Sequence, residues 1–497
     1  MNLYDSIHQL LRQIGPGHSQ MTNTAYDTAW IARLDELDEP MGEQALEWLR
    51  SHQLADGSWG ASEPQYYHDR FICTLAAMTA LARRGQRQDR ARLRRAQLAL
   101  ETAIKGLSAD PASETIGFEM IVPTLLAEAE ALGIIQRQCD SSVLGGLARK
   151  RAAKLAALPG GTISRFVTVA FSAEMAGPDG RHLLDTGDLQ EVNGSVGHSP
   201  SATAYFALYG RRQDSVALGY LRKVVDDSDD SGGVPVIAPS DVFEVAWTLR
   251  NLALISPLDD GSLALCQPHL DFLEATWEPG RGIPQAAGYT PMDGDDTGLV
   301  YEVLTRFGRA ADVEAVLHYE EDEYFRCFAL EANPSVSANI HVLGALRQAG
   351  LGVQHPSVQK VLRFLRRVQT VKLSWFDKWH ASPYYPTSHA VIACAGYDDD
   401  LVDDAVYWIL ETQNQDGSWG YYMPTAEETA YCLQALVVWK RHGGQMPGDA
   451  LKRGAAWLAD HTEPPYPPLW IGKCLYCPLL VVRSTILSAL VLVAQEG

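Results

Sequence analysis

Residues 45–60 read ALEWLRSHQLADGSWG and residues 405–420 read AVYWILETQNQDGSWG, so one pattern occurs twice with the same internal spacing. Each copy has the apolar periodicity of an amphipathic helix and then a D-G-S-W-G turn, where Asp and Gly favour the turn. The tryptophan in the turn can hold one helical hairpin against the next. Repeated helical hairpins indicate a closed or stacked α-structure. The identities shared by the two copies are Trp48 and Trp408, Gln53 and Gln413, Asp56 and Asp416, Gly57 and Gly417, and Trp59 and Trp419.

Helical periodicity continues between the two copies. SETIGFEMIVPTLLAEAEALGII (113–135), DVFEVAWTLRNLALI (241–255) and ANIHVLGALRQAGL (338–351) all place apolar residues at helical spacing. Few runs alternate with the period of a strand. The sequence therefore predicts an almost all-α protein with two helical-barrel domains, and the polar stretch DDSDDSGGVP (226–235) is expected to be an exposed loop.

The composition of the chain excludes several classes of function. The chain has 497 residues, 46% of them hydrophobic, which is enough for two or three domains with their own cores. Its net charge of −20 repels phosphate backbones, so we expect no nucleic-acid partner. The eight cysteines show no zinc-type double pair, and the N-terminus MNLYDSIHQL shows no signal-peptide pattern. We expect reduced thiols and a cytoplasmic location. Arg483 interrupts the apolar stretch near the C-terminus, so no transmembrane segment is predicted.

The stretch TPMDGDDTG (290–298) places three carboxylates, Asp293, Asp295 and Asp296, within four positions. Carboxylates this dense could hold a hard cation such as Mg²⁺. They could also form a Brønsted acid, because crowded carboxyl groups cannot all ionise and one of them keeps its proton. An inverting glycosidase needs two carboxylates several ångströms apart, which one turn does not readily supply. A solvated loop is the structural alternative.

Five further stretches accompany the D-x-D-D-T motif (293–297): AYDTAW (25–30), QLADGSWG (53–60), IGFEMIVPTLL (116–126), NGSVGHSPSATAY (193–205) and VPVIAPSDVFE (234–244). Together, in this order and over nearly the whole chain, they resemble the class II diterpene cyclases. PSVSANIHVLGALRQAG (334–350), DKWHASPYY (377–385) and PPYPPLWIGKCLYC (464–477) are most similar to the bacterial, two-domain members. The resemblance implies two α/α-barrels with the active site between them: a β-type barrel from 1–20 plus 255–497, and an inserted γ-type barrel from 21–254.

The resemblance also implies an activity. Such enzymes protonate the terminal alkene of geranylgeranyl diphosphate, close two rings through a carbocation and retain the diphosphate. The middle aspartate of the motif is the acid, which corresponds to Asp295. We expect Asp293 to be charge-coupled to it and Asp296 to be structural. His341 lies where relatives place a residue that hydrogen-bonds the acid; the alternative is a core histidine on a helix.

Aromatic faces can stabilise a carbocation in an apolar cavity. Trp379, Tyr384 and Tyr385 are the candidates for such a lining, although structural packing would explain them as well. Plant enzymes that make ent-copalyl diphosphate quench their cation with a His and an Asn. Here Phe171 stands at the His position and Val236 at the Asn position. Because the usual base is missing, we predict hydride and methyl shifts and a rearranged product, of halimadienyl or kolavenyl (clerodane) type.

Cations are needed at the other end of the cavity to hold the diphosphate. Lys154 corresponds to a lysine with that role in the family, and Lys473 in LWIGK is a second candidate; a solvated face would explain either. Magnesium is the expected cofactor, bridging the diphosphate through Glu119, which could instead cap a helix. A class I terpene synthase is a possible downstream partner because the product retains its diphosphate. The oligomeric state is not predicted.

Two D-D-x-x-D stretches match the metal motif of class I terpene synthases, DDSDD (226–230) and DDLVD (399–403). We interpret both as coincidental, the second because acids favour a helix start. The functional alternatives are an unrearranged copalyl diphosphate synthase, a squalene-hopene-type cyclase, a non-catalytic α/α-barrel binding module and a glycan hydrolase, and the fold alone does not separate them.

Overall fold

The computed structural model describes residues 2–111, 114–135, 142–228, 232–329, 331, 333–446 and 448–496, and of residues 142 and 143 only the backbone. These residues form twenty α-helices and one two-stranded hairpin. The helices before residue 230 are α1 (Leu3–Leu11), α2 (Ala25–Ile31), α3 (Glu39–Ser51), α4 (Tyr67–Arg84), α5 (Arg90–Gly106), α6 (Phe118–Ala131), α7 (Ser142–Ala156), α8 (Pro200–Tyr205) and α9 (Ser215–Asp226).

The second half of the chain adds eleven helices and the hairpin. They are α10 (Asp241–Ala253), α11 (Asp260–Thr276), α12 (Gly294–Arg306), α13 (Val313–Leu317), α14 (Val336–Gln348), α15 (Pro356–Val368), α16 (Tyr384–Cys394), α17 (Asp403–Glu411), α18 (Ala426–Arg441), α19 (Ala450–Ala459), β1 (Trp470–Ile471), β2 (Leu475–Tyr476) and α20 (Leu479–Gln495). The two strands are antiparallel, with Trp470 opposite Tyr476 and Ile471 opposite Leu475.

Six helices close a ring that we call the β-type barrel. Each of α10, α12, α14, α16, α18 and α20 packs on the next, and α20 packs back on α10. The helices α1, α11, α13, α15, α17 and α19 form an outer layer on this ring. The sequence explains the two layers: α20 is apolar nearly all round, whereas α15 buries one stripe, including Val361 and Leu365, and exposes its charges.

A second ring, the γ-type barrel, is built from α2, α4, α6, α8 and a 3₁₀ segment at Thr168–Ala176, with α3, α5, α7 and α9 outside. Each ring encloses its own hydrophobic core. An all-α protein of two α/α-barrels was predicted, and this architecture confirms the fold class.

The barrel boundary differs from the prediction. The core of the β-type barrel includes Val242, Trp247 and Leu252, so α10 belongs to that barrel although the sequence assigned residues up to 254 to the γ-type barrel. The chain changes barrel near residue 240 instead. Apolar periodicity identifies α10 as a helix, but it does not tell which of two cores the helix faces.

In each repeated turn, the tryptophan donates a hydrogen bond to a carbonyl near the end of the preceding outer helix. Trp59 Nε1 donates to the Leu49 carbonyl at 2.7 Å, and Trp419 Nε1 donates to the Ile409 carbonyl at 2.6 Å. A third copy was missed: Trp375 Nε1 donates to the Leu365 carbonyl at 2.9 Å. This copy lacks the Asp-Gly signal, because Leu373, with φ of +66°, occupies the left-handed position that glycine takes in the other two.

The stretch DDLVD (399–403) leads into the outer helix α17, and Asp399 accepts a hydrogen bond from the Gly396 N–H. Asp229 and Asp230 of DDSDD lie outside the described residues. Across the described ranges, no helix combines the length and the apolar character that a membrane crossing would require.

Candidate active site

A cavity of about 1020 Å³ lies between the two barrels. Its lining comes from the starts of α10, α12 and α16, from the hairpin, and from α6, α7 and the 3₁₀ segment of the γ-type barrel. Of the predicted site residues, the structure brings Asp293, Asp295, Asp296, Tyr385, Trp379, Phe171, Val236, Lys154 and Glu119 to this lining.

Asp293 begins α12 as its N-cap. Its carboxylate accepts a hydrogen bond from the Asp296 N–H at 2.7 Å, which satisfies one of the free amides at the helix start. The next residue is glycine for a steric reason, because a Cβ at Gly294 would lie 2.4 Å from the Arg326 carbonyl oxygen. The D-x-D-D motif is thus folded into the first turn of an inner helix.

Asp295 is the member of the motif that is held by a histidine. His341 Nδ1 lies 2.5 Å from Asp295 Oδ1, and His341 is 1% exposed whereas the Asp295 side chain is 21% exposed. If Nδ1 carries the proton, His341 donates to one oxygen of Asp295 and leaves the other facing the cavity. The edge of His341 packs against Trp247, with ring centroids 5.1 Å apart, which fixes the imidazole.

The two flanking aspartates keep protons in the motif. Burial, followed by the charge of Asp295, raises the pKa of Asp293 to about 8. Burial, followed by the charge of Asp293, raises the pKa of Asp296 well above its usual range. The two flanking side chains can therefore sit beside Asp295 at neutral pH without two full charges.

Aromatic side chains form the wall next to the acid. Trp470 of β1 makes edge-to-face contacts with Phe243, Trp247 and Tyr385, at centroid distances of 5.4, 5.5 and 5.1 Å. Trp379 also lines the cavity. Of these, only Tyr385 and Trp379 were predicted from the sequence. Phe243, Trp247 and Trp470 were missed, because a helical or motif pattern does not show which aromatic side chains face the cavity.

Tyr384 was predicted in this wall but lies elsewhere. Its ring packs on Trp408 of the outer helix α17, with centroids 4.7 Å apart, and does not reach the cavity lining. Successive residues on a helix point about 100° apart, and here that rotation turns Tyr385 toward the cavity and Tyr384 toward the outer helix.

Phe171 and Val236, which replace the His and Asn of the plant enzymes, lie in one apolar patch of the cavity wall. They pack with Met21, Ile237 and Phe243. The pair therefore occupies one place in the wall, where it offers hydrocarbon and no general base.

Three lysines line the cavity: Lys150 and Lys154 from the γ-type barrel, and Lys378 from the loop before α16 of the β-type barrel. Each is paired with a carboxylate, Lys150 with Glu114, Lys154 with Glu119, and Lys378 with Glu331. Lys154 and Glu119 come together from α7 and α6. Diphosphate oxygens could replace Glu119 as the partner of Lys154.

Lys473 is placed differently from the prediction. Its side chain is fully buried in the γ-type barrel, where Nζ donates at 2.7 Å to Glu174, Ser199 and Ser201. It is not part of the cavity lining. The hairpin residue thus links the two barrels and takes no part in the site proposed below.

Glu119 would offer magnesium a single carboxylate. Within the described ranges, Glu119 belongs to no group of three ligating side chains, and Lys154 already neutralises it. Mg²⁺ commonly uses one or two carboxylates plus substrate phosphates. The chain alone does not build a metal cage here, and Glu119 fits magnesium only together with a diphosphate.

Comparison with known proteins places this geometry in a family. The family model for the squalene-hopene cyclase C-terminal domain matches residues 326–465. The chain is 45% identical over 503 residues to a protein of Mycobacterium tuberculosis named type B diterpene cyclase, covering 99% of this chain and 100% of that one. It is 30% identical to an ent-copalyl diphosphate synthase of a Streptomyces species, covering 90% and 88% of the two chains.

A solved structure agrees over the full length. The ent-copalyl diphosphate synthase from Streptomyces platensis superposes with a TM-score of 0.81 at 30% identity, covering 99% of this chain and 100% of that one. The type B diterpene cyclase and the Streptomyces platensis enzyme match over the full length, whereas the squalene-hopene model covers only part of the β-type barrel. The chain belongs to the bacterial class II diterpene cyclases.

Proposed function

We propose that this enzyme cyclises geranylgeranyl diphosphate by protonating its terminal alkene, and that it releases a rearranged bicyclic diterpenyl diphosphate. The observation that carries the proposal is Asp295, which a buried histidine holds at the aromatic end of a cavity between two barrels. Protonating an unactivated alkene needs a carboxylic acid in a water-poor pocket whose conjugate base is stabilised by a hydrogen bond.

In the first step the O–H of Asp295 donates its proton to the terminal alkene carbon, and a tertiary cation forms at the neighbouring carbon. The carboxylate that remains accepts a hydrogen bond from His341 and lies in the first turn of α12, where the helix dipole favours negative charge. Asp293 holds that turn in place through the Asp296 N–H. No diphosphate bond breaks in this sequence.

Ring closure moves the positive charge away from the acid, along the aromatic wall. The faces of Trp247, Trp470 and Tyr385 can each stabilise a desolvated cation by about 1–2 kcal/mol. Because Phe171 and Val236 provide no base, the bicyclic cation is not quenched at their wall. It then has time for 1,2-hydride and methyl shifts before another group takes the proton. This reasoning favours a halimadienyl or kolavenyl skeleton over copalyl diphosphate.

The product test is an incubation with geranylgeranyl diphosphate, followed by dephosphorylation and identification of the alcohol by mass spectrometry and NMR. Restoring the polar pair with Phe171→His and Val236→Asn should raise the ratio of unrearranged to rearranged product by about 10²-fold, the usual gain from a positioned base. Phe166→His is the control, since Phe166 is 61% exposed and outside the cavity. Copalol as the sole wild-type product would contradict the proposed skeleton.

Lys154 is proposed to bind the diphosphate. Lys154→Ala should raise KM by about 10- to 100-fold, because one charge-assisted hydrogen bond contributes about 1.5–3 kcal/mol. Steady-state kinetics at fixed free magnesium measure the effect, and kcat should change less than KM. Lys452→Ala, on the exposed face of the outer helix α19, is the control. An unchanged KM in the Lys154 variant would exclude this role.

In this proposal Glu119 is the side chain that would hold magnesium together with the diphosphate, and the ion would supply positive charge to the diphosphate oxygens. The retained diphosphate makes a class I synthase the natural next enzyme. We place the reaction in the cytoplasm, in agreement with seven cysteines that are all unpaired in the described part of the chain.

A further inference from the structure

A second cluster of chemically reactive side chains lies at the junction of the barrels, outside the active-site lining. Asp69 and Cys73 belong to α4 of the γ-type barrel, and Cys474 belongs to the hairpin between β1 and β2. One oxygen or sulfur atom from each of the three residues lies within 4.8 Å of the other two. All three residues are buried. The proposed reaction uses none of them.

The spacing of the three residues suits chelation. Asp69 and Cys73 are four residues apart on one helix, so their side chains lie on the same face, one turn apart. Cys73 Sγ is 3.6 Å from Asp69 Oδ1. Two ligands of one tetrahedral zinc ion, with bonds of about 2.0–2.3 Å, lie roughly 3.5 Å apart. The helix therefore already presents two ligands at the required separation, and Cys474 approaches as the third from the hairpin.

Backbone groups orient the carboxylate of this cluster. Asp69 Oδ2 accepts a hydrogen bond from the Ala61 N–H at 2.7 Å, and Oδ1 accepts one from the Leu475 N–H at 2.8 Å. Each oxygen retains a lone pair for a metal, and such outer contacts fix the direction of a ligand. The cluster also has an approach route, since Asp69 and Cys73 line a second cavity of about 800 Å³ on the other side of the hairpin.

We propose that Asp69, Cys73 and Cys474 bind one divalent cation of the zinc class, with a water from the second cavity as fourth ligand. Two thiolates select a thiophilic ion over magnesium or calcium. Since α4 and the hairpin both contribute ligands, the ion would join α4 to the hairpin whose residues Trp470 and Ile471 form part of the active-site wall.

Binding must release protons. A zinc-class ion binds the thiolate form of cysteine, so Cys73 and Cys474 must each lose the proton of the thiol. The cation replaces one proton on each sulfur, and the two positive charges of the ion balance the two thiolates. We therefore expect the release of two protons per ion and a weaker affinity at lower pH.

The experiment uses the full-length protein, stripped with a chelator and titrated with Zn²⁺ against a chromophoric competitor, in parallel with Co²⁺ for its visible tetrahedral bands. We expect one equivalent to bind, a rise in Tm, and sulfur-to-cobalt charge-transfer absorption. Cys73→Ser and Cys474→Ser should each weaken binding by more than about 100-fold. Cys266→Ser, at an equally buried cysteine of α11, is the matched control and should bind normally.

Absence of stoichiometric Zn²⁺ binding by the wild-type protein would overturn the proposal, whatever the variants do. Binding that survives Cys73→Ser, in a variant with native circular dichroism, would also overturn it. So would a Cys73–Cys474 disulfide found by peptide mass spectrometry in protein purified under reducing conditions. None of these outcomes bears on the cyclase activity, which is measured separately.

Discussion

Asp295→Asn is expected to abolish cyclisation of geranylgeranyl diphosphate, with kcat/KM falling by about 10⁴-fold, the upper range for loss of a general acid. Asparagine keeps the shape of the side chain and can still accept a hydrogen bond from His341, but it has no acidic proton to give to an alkene. The loss should appear in kcat, because Asp295 does not contact the end of the cavity that we assign to the diphosphate. Mass-spectrometric product assays over long incubations provide the necessary range.

Substrate binding separates loss of chemistry from loss of structure. The affinity of Asp295→Asn for geranylgeranyl diphosphate, measured by calorimetry, should stay within about threefold of wild type, less than one hydrogen bond is worth. Turnover of the asparagine variant within tenfold of wild type would exclude Asp295 as the acid. If binding disappears together with turnover, the carboxyl group has a structural role that our assignment does not include.

Lys473→Met is expected to be the most destabilising single substitution that we propose, costing about 3–5 kcal/mol, because it leaves the Glu174 carboxylate buried without its cation. Both side chains of this ion pair are 0% exposed. Tyr26 and Ser201 also donate to Glu174, but neither carries charge. Thermal unfolding followed by circular dichroism should show a lowered first transition. Because the chain has two barrels, its unfolding need not be two-state, and native-state proteolysis provides a second readout.

The double variant Lys473→Met, Glu174→Gln should recover much of the loss, since neither partner is then charged. Lys440→Met is the surface control: its partner Glu496 is at 2.9 Å, but Lys440 is 43% exposed, and such pairs contribute about 0–1 kcal/mol. The folded fraction of Lys473→Met should keep its KM for substrate. A raised KM with unchanged stability would instead return Lys473 to the diphosphate site.

Short sequence patterns predicted the features of the structure that depend only on nearby residues. Helical periodicity and the repeated turn predicted the all-α barrels. The D-x-D-D motif lies at the start of an inner helix, where Asp293 accepts a hydrogen bond from a free amide. The third turn was missed because Leu373 replaces the glycine that signals the other two. The family pattern led to His341, whose partner lies 46 residues away in the chain.

The sequence could not predict which way a given side chain points in the fold. Nothing in the string WIGKC tells that Lys473 points into the γ-type barrel, whereas Trp470, three residues earlier, faces the cavity. Tyr384 and Tyr385 are neighbours with opposite surroundings for the same reason. The aromatic wall is assembled by tertiary packing from α10, α16 and the hairpin, so no stretch of the sequence contains it.

The hairpin at residues 470–476 limits which mutations can change the product of the enzyme. Within seven residues it carries cavity walls at Trp470 and Tyr476 and the inter-barrel anchor at Lys473. A mutation in the hairpin that changes the shape of the cavity also disturbs the contact between the two barrels. Many such variants will therefore misfold before their effect on the reaction matters. Phe171 and Val236 line the same cavity from outside the hairpin, so they are the better places to diversify the enzyme.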